Sequence, residues 1–261
     1  MLSEFQRNQP ALKIRQGPLN EPHHPLSQER SRRTGIYSDF SEAKLRAIQN
    51  IKLEGPSYST KVDTLIKHLL WLREEDPGAK SIIFSQFRAF LSILHQALVR
   101  HRIGCAAFTQ SSNKAYEIQR FRDDPGTECL LMDAKSHSSG LNLVNASHVF
   151  LCEPLLNTAL ELQAIARVDR IGQEHKTTVW LYLAEETVEE NIYALSERRR
   201  LAHIGDVANP NTNELEAAVL EAANSRELEQ AGSANLMSKS EEGEAVDKGD
   251  VWECLFGTVS V

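Results

Sequence analysis

No Gly-x-x-x-x-Gly-Lys-Ser/Thr occurs anywhere in this 261-residue chain. In that loop the backbone N–H groups cradle phosphates and the lysine reaches the outer ones, so the chain has no such grip of its own. Gly55 to Lys61 approaches the pattern but lacks the second glycine and reverses Thr60 and Lys61. No Asp-Glu dipeptide is present to serve as a magnesium and water site. Cysteine is scarce. Cys105, Cys129, Cys152 and Cys254 are scattered and form no Cys-x-x-Cys pair, which excludes zinc ribbons and RING-type sites and fits a reducing compartment. No apolar run reaches membrane-spanning length, and the N-terminus lacks the apolar core of a signal peptide. The expectation is a soluble intracellular protein with no membrane partner. A Rossmann-type small-molecule enzyme is disfavoured as well, since no Gly-rich turn opens the sheet and Gly140 stands alone.

What is present is an ordinary globular core. Hydrophobic residues make up 41% of the chain, enough for one sizeable domain with tails. The net charge of −7 is unevenly placed: Asp206 to Asp250 carries a net −8, which leaves +1 for the remainder. The acidity therefore belongs to a tail and does not exclude a basic groove on the folded part. Residues 1–40 read as a disordered leader containing Arg30, Arg32 and Arg33, and His23-His24 reads as solvated. Residues 41–205 form the folded unit, 206–250 an acidic helix and linker, and 251–261 an apolar segment that should dock on this domain or on a partner.

Within the unit, helical spacing predicts helices over Ser41–Leu53, Lys61–Glu74, Phe87–Arg100, Asn113–Arg122 and Thr187–Leu201. Asp76-Pro77-Gly78 and Gly104 are expected to end the second and third of these. Short apolar runs predict buried strands at Ser81–Phe84, Cys105–Phe108, Cys129–Met132, His148–Cys152 and Thr178–Leu183. Alternation of such strands with helices means an α/β fold, a parallel sheet covered by helices on both faces. In folds of this kind the chemistry lies at the carboxyl ends of the strands, here Ser85-Gln86-Phe87, Asp133 to Gly140 and Glu153-Pro154.

The helix after the last of these loops carries the strongest pattern. Thr158 and Glu161 form a capping box, so the helix should start near Asn157 or Thr158, and Gly172 should end it. Gln163, Arg167 and Arg170 fall at i, i+4 and i+7 on one face, while Leu162, Ile165 and Val168 point into the core. Two arginines and a glutamine on one face make a charged fork suited to phosphate oxygens.

Ser81-Ile-Ile-Phe-Ser-Gln-Phe87 resembles motif IV of the Swi/Snf-type (sucrose-non-fermenting) family of helicase-like ATPases. Ser138-Ser-Gly-Leu-Asn-Leu143 resembles their motif V, and Gln163 to Gln173, with its Arg-Ile-Gly-Gln ending, their motif VI. Residues 41–204 resemble the second RecA-like lobe, the helicase C-terminal domain. The run Ala134 to Leu143, then Leu151-Cys-Glu-Pro, looks most like fungal relatives of the Snf-histone-linker-PHD-RING helicase, a ubiquitin-ligase type. The resemblance implies that ATP and magnesium sit between two lobes and are held mainly by a first lobe. Arg167 and Arg170 would serve as arginine fingers aligned by Gln163, with Gly140 at the nucleotide. Ser85, Gln86, Lys135, Ser138 and Ser139 would grip the backbone of double-stranded DNA. It further implies a nuclear protein of DNA repair or chromatin, with ubiquitin machinery as a partner. Two positions depart from the family: Asp169 replaces the usual histidine, and Ser138-Ser139 is bulkier than the usual glycines. With no phosphate loop and no RING cysteines, the chain reads as a C-terminal piece, not expected to hydrolyse ATP alone. The alternative is a non-catalytic regulatory or scaffolding protein that kept the fold, which Asp169 favours.

Overall fold

The computed structural model describes residues 12–19, 38–108, 113–133, 143–165, 168, 177–207 and 248–256. Their order is β1 (Leu12–Leu19), β2 (Ser38–Asp39), α1 (Glu42–Asn50), α2 (Thr60–Glu75), β3 (Ser81–Ser85), α3 (Arg88–Arg100), β4 (Cys105–Ala107), α4 (Lys114–Asp123), β5 (Cys129–Asp133), β6 (His148–Leu151), α5 (Thr158–Ile165), β7 (Thr177–Ala184), α6 (Val188–Val207) and α7 (Lys248–Phe256). The sheet runs β2-β1-β7-β6-β3-β5-β4. From β7 to β4 every pairing is parallel. The expected α/β fold is therefore present, its predicted strands within one residue of the sequence pattern and α1 to α4 within three.

The strands are apolar on both faces because both faces are covered. Ile82, Phe84, Leu130, Met132, Val149, Leu151, Val179 and Leu181 pack with Phe121, Ile165, Val168 and Tyr193 on one side of the sheet. Ile83, Leu131, Phe150, Trp180 and Tyr182 pack with Ile48, Leu65, Ile66, Leu69, Leu94 and Leu98 on the other. Period-2 alternation thus sorts neighbouring residues between two cores. Local signals fix the helix starts. The Ser59 hydroxyl accepts from the Val62 N–H at 3.3 Å at the head of α2, and the Asn113 side-chain Oδ1 accepts from Ala115 N–H at 3.0 Å at the head of α4.

Three expectations need correction. Residues 12–19 are not part of an unstructured leader. They pair antiparallel with β7 along the whole strand, from Leu12 opposite Ala184 to Leu19 opposite Thr177. Ile14 is buried beside Trp180 and Tyr182, while Lys13 and Arg15 turn the other way toward α6. Lys13 reaches Glu190 at 2.8 Å, and the Arg15 guanidinium lies 4.6 Å from the Tyr193 ring centre. Gly104 does not end α3. His101 caps it, and Arg102 supplies the left-handed turn at φ 55° while Ile103 N–H returns to Leu98 O at 2.9 Å. The C-terminal helix begins at Lys248, ahead of the expected apolar segment, and α6 continues to Val207. The acidic stretch expected to be helical, 213–230, lies outside the described residues.

The apolar segment docks on this domain. The Asn191 side-chain amide donates to Cys254 O at 2.7 Å, Arg198 pairs with Glu253, and Cys254 is buried with Leu156 and Leu195. No helix among the described residues is long and apolar enough to cross a membrane.

Candidate nucleotide and nucleic-acid interface

Parallel pairing brings the carboxyl ends of the strands to one rim. Ser85 lies opposite Asp133 on β5, and Phe84 opposite Leu151 on β6. The β3–α3 turn, the end of β5 and the segment leading from β6 into α5 are therefore neighbours, as expected of the three loops. α5 starts at Thr158 with the carbonyl of Asn157 accepting from Leu160 N–H at 3.1 Å. Its inner residues Leu160, Ala164 and Ile165 are buried, as is Val168, whose N–H returns to Ile165 O at 3.0 Å in a turn.

Of the residues expected at the nucleotide, Gln163 is on α5. Arg167, Arg170 and Gly140 lie outside the described residues, as do Asp169 and the expected helix end at Gly172. Lys135, Ser138 and Ser139 lie outside them too. Ser85 departs from its expected role. Its side chain is only 2% exposed, and its hydroxyl donates to Glu153 Oε2 at 3.1 Å while accepting from Phe87 N–H at 3.1 Å. A hydroxyl so committed has no spare donor for a DNA phosphate, so Ser85 shapes the turn. The Gln86 N–H donates to the other oxygen of Glu153, and the Gln86 side chain is half-buried. Phe87 and Arg88 are exposed at this rim, and Arg88 Nε donates to Asp133 Oδ2 at 3.0 Å.

Glu153, which the sequence placed in a strand-end loop without giving it a role, is buried at the rim. It is 8% exposed, and burial pushes its carboxyl up to about 7. The Gln86 N–H, the nearby Lys61 ammonium and the Ser85 hydroxyl oppose that shift by favouring the charged form. Lys61 is itself held by Glu189 at 2.6 Å, and Glu189 Oε2 accepts from Ala184 N–H at 2.9 Å. The group thus ties α2, β3, the β6–α5 segment, β7 and α6 together beneath the rim. The available signal was a single carboxylate within the apolar run Val149 to Leu156.

Among the described residues no group of three or more His, Cys, Asp and Glu is placed to hold a metal ion. The described donors at this rim are engaged within the lobe: the Gln86 N–H with Glu153, the Phe87 N–H with Ser85 and Arg88 with Asp133.

Comparison with known proteins agrees with this geometry. Residues 60–172 match the model of the helicase conserved C-terminal domain. The human E3 ubiquitin-protein ligase SHPRH is 34% identical over 72% of this chain and 11% of its own length. The Neurospora crassa DNA repair protein rad5 is 36% identical over 54% of this chain and 12% of its own. Among solved structures, the C-terminal part of the Fun30 ATPase domain superposes with a TM-score of 0.50 at 26% identity, over 57% of this chain and 48% of that one. The fold and rim define a RecA-like helicase C-terminal domain. The chain is similar to that domain in SHPRH, the rad5 proteins and the Fun30 ATPase. The chain spans about a tenth of the length of these two relatives.

Proposed function

We propose that this lobe is the C-terminal motor lobe of a Swi/Snf-type DNA-dependent ATPase or translocase. A first RecA-like lobe would hold ATP and magnesium. This lobe would supply Arg167 and Arg170 to the charge that builds on the transferred phosphoryl, with Gln163 aligning them. Gln86, Lys135, Ser138 and Ser139 would hold one DNA strand through its phosphates, without reading sequence. The observation that carries this reading is the rim, where β3, β5 and β6 end side by side and the segment after β6 leads into α5. The names of the relatives support work in DNA repair beside ubiquitin machinery, for which a nuclear location is expected.

The test is Arg170→Ala in a protein that holds both lobes. Turnover should fall roughly a thousandfold, the loss expected of an arginine finger. Folding should change by no more than about half a kcal/mol. Arg170→Lys should not rescue, because a point charge does not reproduce a planar fork. Asp169→His should leave turnover equal or raise it. Full turnover in Arg170→Ala would mean a solvated side chain, and a melting point many degrees lower would mean a structural one.

A further inference from the structure

Glu153 has no part in the chemistry above, yet it is the group most firmly built into the rim. Burying a carboxylate is costly, and an apolar residue of similar volume would stabilise a core at least as well. What an apolar residue could not do is accept two hydrogen bonds from one turn. Glu153 Oε2 accepts from the Ser85 hydroxyl and Oε1 from the Gln86 N–H, consecutive residues of the β3–α3 turn. The Ser85 hydroxyl then accepts from Phe87 N–H, so the order passes along the turn. On the other side, Glu153 is followed by Pro154 and by Leu155 and Leu156, both buried, directly before α5. One side chain therefore joins the turn expected to meet DNA to the segment that launches the helix of Gln163.

We propose that Glu153 is a positioning residue that holds the Ser85–Gln86 turn in its DNA-gripping conformation and fastens it to the base of α5. The inference rests on the functional reading above. Glu153 never touches DNA; it acts through Gln86. Lys61 and Glu189 are the charged side chains that face it from α2 and α6, and they are paired with each other. Removing Glu153 therefore leaves no unpaired lysine to confuse the outcome.

The experiment uses the whole 261-residue chain and a short fluorescent DNA duplex of mixed sequence. Glu153→Ala should raise the Kd about tenfold, and Glu153→Gln, which keeps a single acceptor, about threefold. In the same variants the Gln86 and Phe87 amides should exchange with solvent faster, while the amides of Ile82 to Phe84 in β3 keep their protection. Should Glu153→Ala fail to fold, the isosteric Glu153→Gln carries both measurements. If wild type and variants bind DNA equally, the inference fails and the functional reading stands. A wild-type chain that binds no DNA overturns the reading and the inference together. Faster exchange throughout β3 would make Glu153 a general core group and would also overturn it.

Discussion

Two buried side chains give the lobe opposite responses to pH. Burial lowers His68 from 6.5 to about 3, among the rings of Phe40, Phe150, Trp180 and Tyr182 and with its Nδ1 paired to the Tyr182 hydroxyl at 2.8 Å. The unfolded chain binds that proton more readily, so the stability His68 contributes is present above 6.5 and is lost as pH falls toward 3. Glu153, raised to about 7, acts the other way: its contribution is full below its ordinary value of 4.5 and is lost as pH rises through 7. His68→Gln, which can keep a bond to Tyr182, should flatten the acid limb by up to about 1.4 kcal/mol per pH unit. Urea unfolding across the pH range would show it, and a variant that tracks wild type would contradict it. Ser85 and Glu153 also mark where the sequence stops being legible. A serine in a Ser-Gln-Phe turn looks like a phosphate ligand until a carboxylate far away in sequence occupies its hydroxyl. His148 is similar. Trp180 Nε1 only donates, so its bond to His148 Nδ1 at 3.1 Å leaves the proton on Nε2, facing Asp76 Oδ2 at 3.2 Å. Such pairings arise only once strands and helices are packed.

At the scale of elements, the parallel strands and their helices were legible because apolar runs and 3.6-residue periodicity need no tertiary context. β1 was not, because Gly17-Pro18 interrupts its alternation and reads as a breaker. Its order comes from β7, whose free side it covers, and a sequence window cannot contain that partner. The end of α3 misled for a related reason. Glycine is the usual left-handed residue at a helix end, but here Arg102 adopts that geometry, two residues before Gly104. Gly104 is needed because a Cβ there would meet Gly126 O at 1.7 Å. Two substitutions separate these roles. Arg102→Gly should stabilise the lobe by up to about 1 kcal/mol, since it removes the strain of a left-handed non-glycine residue. Gly104→Ala should destabilise it by several kcal/mol, roughly as overpacking of a rigid contact does, here against backbone that cannot yield. Thermal melting of the two variants tests both signs.

For the molecule as a whole, the sequence holds no phosphate loop and no Asp-Glu dipeptide, so the purified chain should show no DNA-stimulated ATP turnover. Measurable turnover by the chain alone would refute this. It should bind DNA without sequence preference, and affinity should fall steeply with added salt as counterions compete for a few phosphate contacts. A salt-independent Kd would remove the rim loops from the interface. The docking of α7 on α6 changes how the acidic stretch between them is regarded. It departs from Val207 and is brought back by Lys248 to the helix it left, through Asn191, Arg198 and Leu195. The two helices belong to one chain, so their contact is intramolecular. A single proteolytic nick anywhere in 208–247 would make that contact bimolecular. α7 would then be released on dilution, uncovering Leu156 and Leu195.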